Sequence, residues 1–335
     1  MILVTGGTGY IGSHASLVLH EAGHEVVLLD NLSNSDAAVL DRLAVLAGRP
    51  FAFVEGDIRD ETLLAQVFAE YQIDGVMHFA GLKSVAESVA DPLKYFDNNV
   101  AGTRTLLGAM SAANVHRMVF SSSATVYDGS QRPPFAEDAA LGASNPYGNS
   151  KAQVEALLAD VAASDQRWSF ALLRYFNPVG GHESGLLGEN PRGIPNNLMP
   201  YICQVASGMR ESLTVHGDDY PTVDGTGVRD FIHVMDLVDG HVAALDYCMK
   251  NSGVLTANLG TGTGTSVIQL IETFERITGN RVPFQIGPRR PGDVAESWAD
   301  AAVAERLLGW RAKLGLPEMC RDSWTWQSTL ARGDV

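Results

Sequence analysis

An apolar run, Ile2 to Val4, breaks into Thr5-Gly6-Gly7-Thr8-Gly9-Tyr10-Ile11-Gly12, and helix-like sequence follows as far as Gly23. A strand that turns through spaced glycines straight into a helix has few uses. One glycine permits the tight turn, the next lets backbone approach a ligand, and the third lets the helix pack close. In Gly6, Gly9 and Gly12 the spacing is one residue longer at its first gap than in the common dinucleotide fingerprint. The free N–H groups at such a helix start suit a pyrophosphate.

The next apolar run, Val26 to Leu29, ends in Asp30. An acid there accepts from the hydroxyls of an adenosine ribose and repels a ribose phosphate, so NAD is expected over NADP. Apolar runs and helix-like stretches then alternate: FAFVEGD, Glu61 to Tyr71, GVMHFAG, Asp91 to Asn114, MVFSSS and Tyr147 to Ala163. This alternation predicts an α/β fold with a Rossmann-type, doubly wound parallel sheet covered by helices. Asp57 either reaches an adenine amino group or caps the helix that follows. Phe79-Ala80-Gly81-Leu82-Lys83 closes the fourth strand, where ligands lie in such sheets, and Lys83 is placed to meet phosphates. In the stretch from Asp91 to Asn114, Leu93, Phe96, Val100, Leu107 and Met110 recur at helical spacing. Their face either joins the core or, with the Tyr147–Ala163 helix, pairs with a second copy of the chain.

Past Arg174 the sequence becomes rich in Gly, Pro and Asn, which sets a boundary near Asn177. Residues 1–177 are expected to form the dinucleotide domain and 178–335 a smaller mixed α/β substrate domain, with the segment around 229–260 packing back on the first. Helices are expected over Asn196–Gly208, Val267–Thr278, Asp300–Leu308 and Leu316–Gln327, and strands over Leu213–His216, Val254–Leu259 and Val282–Ile286.

With 335 residues and 45% hydrophobic side chains the chain can bury full cores, and a formal net charge of −15 argues against nucleic acid as a partner. Cys203, Cys248 and Cys320 are too few and too far apart for a disulfide framework or a metal site, and are read as core thiols. No apolar run is long enough to span a bilayer, and Ile2 leaves no room for a leader before the first strand, so a cytoplasmic location is expected.

The fifth strand ends in Ser121-Ser122-Ser123, and Tyr147-Gly148-Asn149-Ser150-Lys151 follows. Tyr and Lys four apart share one helix face. A free tyrosine titrates near about 10, and bringing it to neutrality takes roughly 4 kcal/mol, which a neighbouring ammonium and an oxidised nicotinamide can supply together.

The glycine cradle, Asp30, the strand-end serines and Tyr-x-x-x-Lys together resemble the extended short-chain dehydrogenase/reductase family over nearly the whole chain. Within that family, VTGGTGYIGSH, LDNLSNS, HFAGLKSV, DNNVAGT, LLRYFNPVG, GIPNNLMPY, DGTGVRDFIHVMDL and RRPGD resemble the bacterial sugar-nucleotide 4-epimerases. The resemblance implies that UDP-galactose and UDP-glucose are interconverted through a 4-keto sugar, with Tyr147 and Ser123 moving the 4-hydroxyl proton, Lys151 steadying Tyr147, and tightly held NAD exchanging the C4 hydride. It implies that Gly6, Gly9, Tyr10, Ile11, Gly12, Asp30, Asn31, Leu32, Ser33, Asn34, Ser35, Asp57, Ile58, Phe79, Ala80, Gly81, Leu82, Lys83, Asn98 and Phe176 line the cofactor, along with Ser123, Tyr147 and Lys151. Asn177, Asn197, Leu198, Arg229, Arg290, Asp293 and Ser297 are implied for the sugar nucleotide, and a homodimer for the assembly. Guanidinium forks match the oxygens of a diphosphate, in agreement with Arg229 and Arg290. Where strict members carry a tyrosine, Ser297 leaves room for an N-acetyl group, so the N-acetylated UDP-hexose pair is an expected second substrate.

Two other readings compete. A 4,6-dehydratase of the same fold needs an Asp-Glu pair after the strand-end threonine, and Ser123-Ala124-Thr125 offers no carboxylate. A non-catalytic dinucleotide sensor would not require both Tyr147 and Lys151.

Overall fold

The computed structural model describes residues 1–333 apart from 192, 194, 196 and 291, so Pro291 of the RRPGD motif and Asn196, the expected start of a helix, lie outside the described residues. Six parallel strands are laid down first: β1 (Ile2–Thr5), β2 (Val26–Asp30), β3 (Ala52–Glu55), β4 (Gly75–His78), β5 (Arg117–Ser121) and β6 (Ser169–Tyr175). The short strands β7 (Asn177–Val179), β8 (Leu213–His216), β9 (Val228–Arg229) and β10 (Phe231–His233) follow, and then β11 (Gly253–Leu259) returns to pair in parallel with β6. The main sheet therefore has seven strands in the order β11-β6-β5-β4-β1-β2-β3.

Residues along each strand alternate between two cores, because successive side chains leave opposite faces of a sheet. Ile2, Val4, Leu28, Met77, Val119 and Leu173 meet Leu17 and Leu43 and, from helix Val234–Lys250, Leu237 and Leu245. Leu3, Val27, Leu29, Val76, Met118, Phe120 and Leu172 meet Leu64, Leu106, Met110, Val154 and Leu158 on the other face. Both faces are thus covered, which is why the strands are nearly continuous hydrophobic runs.

The stretch expected as one helix from Asp91 is interrupted. Helix Pro92–Tyr95 passes through a π-helical turn, Phe96–Ala101, into helix Gly102–Ala112. The Thr103 hydroxyl donates to the Asn99 carbonyl at 2.6 Å, and the Asn99 side chain is drawn out to the backbone of Leu82; side-chain competition of this kind loosens a helical turn. Leu93, expected on the apolar face, is 79% exposed. The cap of helix Glu61–Glu70 is Asp60, whose carboxylate accepts from Leu63 N; Asp57 is no cap, and pairs with Arg59 and Asn31.

The remaining strands are β12 (Thr265–Ser266), β13 (Phe284–Gly287) and β14 (Glu296–Ser297). They form small sheets, β12-β9-β14 and β13-β8, around a third core that includes Met199, Ile202, Phe231, Ile271, Phe274 and Met319. The expected strand from Val282 begins two residues later, since Val282 N donates to the Glu275 carboxylate at 2.8 Å. Helix Leu198–Ala206 starts after the expected Asn196, and helix Leu316–Arg332 runs beyond Gln327. All three cysteines are free and buried. Among the described residues no helix is long and apolar enough to cross a membrane.

Candidate functional site

The C-terminal ends of β1, β2, β4 and β5 open into a cleft of about 890 Å³. At its floor β1 stops at Thr5 and Gly6 turns the chain at φ +69°, a region that favours glycine. A Cβ on Gly6 would lie 2.7 Å from Ala80 N, and one on Gly12 would lie 2.0 Å from the Gly6 carbonyl oxygen. Gly9 precedes helix Tyr10–Glu21 with no side-chain cap, so its first turn keeps donors for something else. The cradle therefore has the shape and donor chemistry for a dinucleotide pyrophosphate.

Asp30 is buried and accepts from Thr8 N at 3.1 Å, Leu32 N at 2.9 Å and Ser35 Oγ at 2.9 Å. It ties the glycine turn to the loop after β2, where Leu32 adopts a left-handed φ of +55°. The cleft also gathers Tyr10, Ile11, Asn31, Ser33, Asn34, Ile58, Phe79 to Lys83 and Asn98. Leu32, Asp57, Ser123 and Phe176 are not on its wall; Phe176 instead packs with Val126, Tyr127, Phe135 and Ala299.

Helix Pro146–Ser164 brings in the acid–base pair. Asn145 caps it by accepting from Gly148 N at 2.9 Å, and Pro146 suits its first turn. Tyr147 and Lys151 are both buried and both face the cleft. Lys151 Nζ donates to the Ser121 carbonyl at 2.8 Å and lies 4.8 Å from the Phe120 ring centroid. Burial pushes its pKa down to about 8. Burial likewise drives the Tyr147 phenol well above its ordinary value, and the Ser123 hydroxyl offsets only part of this. Burial thus works against the phenolate, and the two positive charges named from the sequence, an ammonium and an oxidised nicotinamide, are what would offset it; the ammonium of Lys151 is held at Ser121 O.

Several supporting residues escaped the sequence reading. Glu155 continues the same face one turn beyond Lys151; its carboxylate accepts from Ser122 Oγ at 2.5 Å and Arg174 Nη2 at 2.7 Å, fixing the strand end. The i, i+4, i+8 series of Tyr147, Lys151 and Glu155 was the available signal. Asn99 donates to Leu82 O and to Ser150 Oγ, both at 3.0 Å, joining the loop after β4 to the Tyr147 helix. Glu189 lines the cleft and pairs with Lys83 at 2.9 Å.

Of the implied sugar-nucleotide residues, only Asn197 lines the cleft. Arg229 and Ser297 are aligned on β9 and β14, and Arg229 Nη2 pairs with Asp293. Asn177 opens β7, Leu198 opens helix Leu198–Ala206, and Arg290 is exposed. This group reaches the serine turn through Phe135, whose N–H donates to Trp298 O at 2.9 Å. Ser123, Ala124 and Thr125 form a short turn in which Thr125 Oγ1 donates to Ser123 Oγ at 2.9 Å, with no carboxylate in the turn. Among the described residues no group of three His, Cys, Asp or Glu side chains is placed to hold a metal.

A doubly wound sheet with a glycine cradle, an acid after β2 and a buried Tyr-x-x-x-Lys pair at the ligand end defines an extended short-chain dehydrogenase/reductase. A family model described as GDP-mannose 4,6 dehydratase matches residues 3–323. A UDP-glucose 4-epimerase of Bacillus subtilis is 55% identical over 332 residues, covering 99% of this chain and 98% of the relative. A crystal structure of UDP-glucose-4-epimerase from Stenotrophomonas maltophila, with bound NAD and formylated UDP-arabinopyranose, superposes with a TM-score of 0.97 at 55% identity over 99% of both chains. The UDP-Glc/GlcNAc 4-epimerase of Campylobacter jejuni superposes with a TM-score of 0.85 at 36% identity, over 98% of this chain and 99% of that one. The chain belongs to the extended short-chain dehydrogenase/reductase family that the matching model describes and, within it, to the UDP-glucose 4-epimerases.

Proposed function

We infer that the protein interconverts UDP-galactose and UDP-glucose, using NAD held in the glycine cradle. The observation that carries this is the buried Tyr147–Lys151 pair on one helix face, opening onto the same cleft as Gly6, Gly9, Gly12 and Asp30. Tyr147 takes the 4-hydroxyl proton through Ser123 and later returns it to the 4-keto sugar. Lys151, anchored at Ser121 O, holds a cofactor ribose hydroxyl and lowers the cost of the Tyr147 phenolate. NAD, held by Gly6, Gly9, Gly12 and Asp30, would supply the acceptor and donor for the C4 hydride. Asp30 and the loop to Ser35 hold the adenosine ribose, Ile58 borders the adenine, and Phe79 to Lys83 and Asn98 complete the enclosure, with Asp57 and Phe176 standing outside its wall. Asn177, Asn197, Leu198, Arg229, Arg290, Asp293 and Ser297 receive the UDP-hexose. Purified protein given UDP-galactose, with UDP-glucose read by a coupled dehydrogenase, tests the assignment; absence of turnover with NAD present refutes it.

A second substrate pair is favoured by the small side chain at Ser297, in register with Arg229 on the adjacent strand. A serine there obstructs a C2 N-acetyl group less than a tyrosine would, so UDP-N-acetylglucosamine and UDP-N-acetylgalactosamine are interconverted as well. Residues 1–177 act as the cofactor domain and 178–335 as the sugar-nucleotide domain, with the returning segment of the latter completing the former. The protein works as a cytoplasmic homodimer through the helical face near Asp91 to Ala113 and the Tyr147 helix.

A further inference from the structure

Two separate segments that line the cleft meet on one carboxylate. Glu189 Oε1 accepts from Lys83 Nζ at 2.9 Å and from Asn197 Nδ2 at 2.7 Å. The Glu189 side chain is 9% exposed, against 50% for Lys83. Lys83 belongs to the loop after β4, whereas Asn197 stands immediately before helix Leu198–Ala206 and gives that helix no side-chain cap, its amide being committed to Glu189.

The carboxylate stands on a fixed backbone. Trp326 Nε1 donates to the Glu189 carbonyl at 3.0 Å, and a Cβ on Gly188 would lie 2.2 Å from Trp326 Cγ, so this ring leaves space for nothing larger than hydrogen there. A mostly buried carboxylate is costly unless paired, and doubly so beside a cleft shaped for anionic ligands in a chain of net charge −15. Lys83 supplies the pairing charge, its ammonium 2.9 Å from the carboxylate.

We propose that Glu189 is a positioning residue whose carboxylate ties the Lys83 loop to Asn197 across the mouth of the cleft and so slows cofactor release. This rests on the reading of the cleft as an NAD site. It assigns to Asn197, a residue on the sugar-nucleotide side, control over retention of the cofactor. Glu189→Gln keeps the shape and removes the charge; Asn197→Ala removes the other end of the tie.

The test is the rate at which NAD leaves the NAD-loaded protein after rapid dilution, with free NAD measured by filtration, for wild type, each single variant and the double variant. Release is expected to rise about three- to tenfold in Glu189→Gln and in Asn197→Ala, with the double variant no faster than the faster single one, because each change breaks the same tie. An Asn197→Ala protein that releases NAD at the wild-type rate, or single effects that multiply in the double variant, overturns the proposal. So does faster release accompanied by an equal fall in the melting temperature of the NAD-free variants, which marks a merely structural role. A wild type that binds no NAD at all overturns the NAD reading and the tie with it.

Discussion

Lys151 keeps an ammonium in a pocket that disfavours it, and the cost can be measured as a dependence of stability on pH. Its side chain is buried, and burial moves its pKa from an ordinary 10.5 to about 8. At about 1.36 kcal/mol per pH unit, the folded protein near pH 7 carries about 3 kcal/mol of desolvation cost at this position. Between pH 8 and 10.5 the unfolded chain still holds the proton that the folded chain has given up. The unfolded state then binds more protons, so stability rises with pH through that window. Lys151→Met removes the titration while roughly keeping the volume. Urea unfolding of both NAD-free proteins, from pH 7 to 10.5, is expected to show wild type gaining up to about 3 kcal/mol relative to the variant, with the gain starting near pH 8. A stability gap between the two proteins that stays flat across this range would show that Lys151 titrates at its ordinary value and that the pocket is not dry.

Tyr147→Phe should lower turnover of UDP-galactose by about 10² to 10⁴ while NAD content stays at the wild-type level; near-normal turnover removes Tyr147 from the proton path. Gly12→Ala drives a methyl to 2.0 Å from the Gly6 carbonyl oxygen, a backbone atom that cannot yield, so the purified variant should carry little NAD, and a full complement by absorbance after denaturation would disprove the cradle. Ser297→Tyr should suppress turnover of the N-acetylated pair roughly tenfold to more than a hundredfold, from an overpacking cost of about 1 to 3 kcal/mol, while sparing UDP-glucose; equal losses on both substrates would refute the open wall. Light scattering at micromolar concentration should give the mass of two chains, and a single-chain mass ends the dimer reading.

The local rules read well from sequence because they act over few residues. Glycine spacing fixed the turn before Tyr10, and apolar runs marked β1, β2, β4 and β5 and the sheet that joins them. What could not be read involved partners far along the chain or competition within a helix. Periodicity does not reveal the π-helical turn Phe96–Ala101, beside which the Thr103 hydroxyl takes the Asn99 carbonyl and the Asn99 side chain reaches Leu82. Nothing in the string near Lys83 announces Glu189, 106 residues away. The burial that holds the Tyr147 phenol above its ordinary value was not legible for a related reason. Proximity to Lys151 along the helix was legible, but the direction of the ammonium, toward Ser121 O, is a property of the packed sheet.

The return of β11 to the sheet beside β6 has a practical corollary for anyone dissecting the chain. A fragment ending at residue 177 would lack both β11 and helix Val234–Lys250, whose Leu237, Val238 and Leu245 cover one face of the sheet. It would expose the backbone of β6 along seven residues, Ser169 to Tyr175, together with the apolar surface next to it. An open, hydrophobic strand edge of that length recruits other chains. The N-terminal half expressed alone should therefore precipitate, and a split-protein sensor built on this scaffold needs its cut elsewhere, in an exposed loop that leaves both the seventh strand and its covering helix on the same piece as the first six.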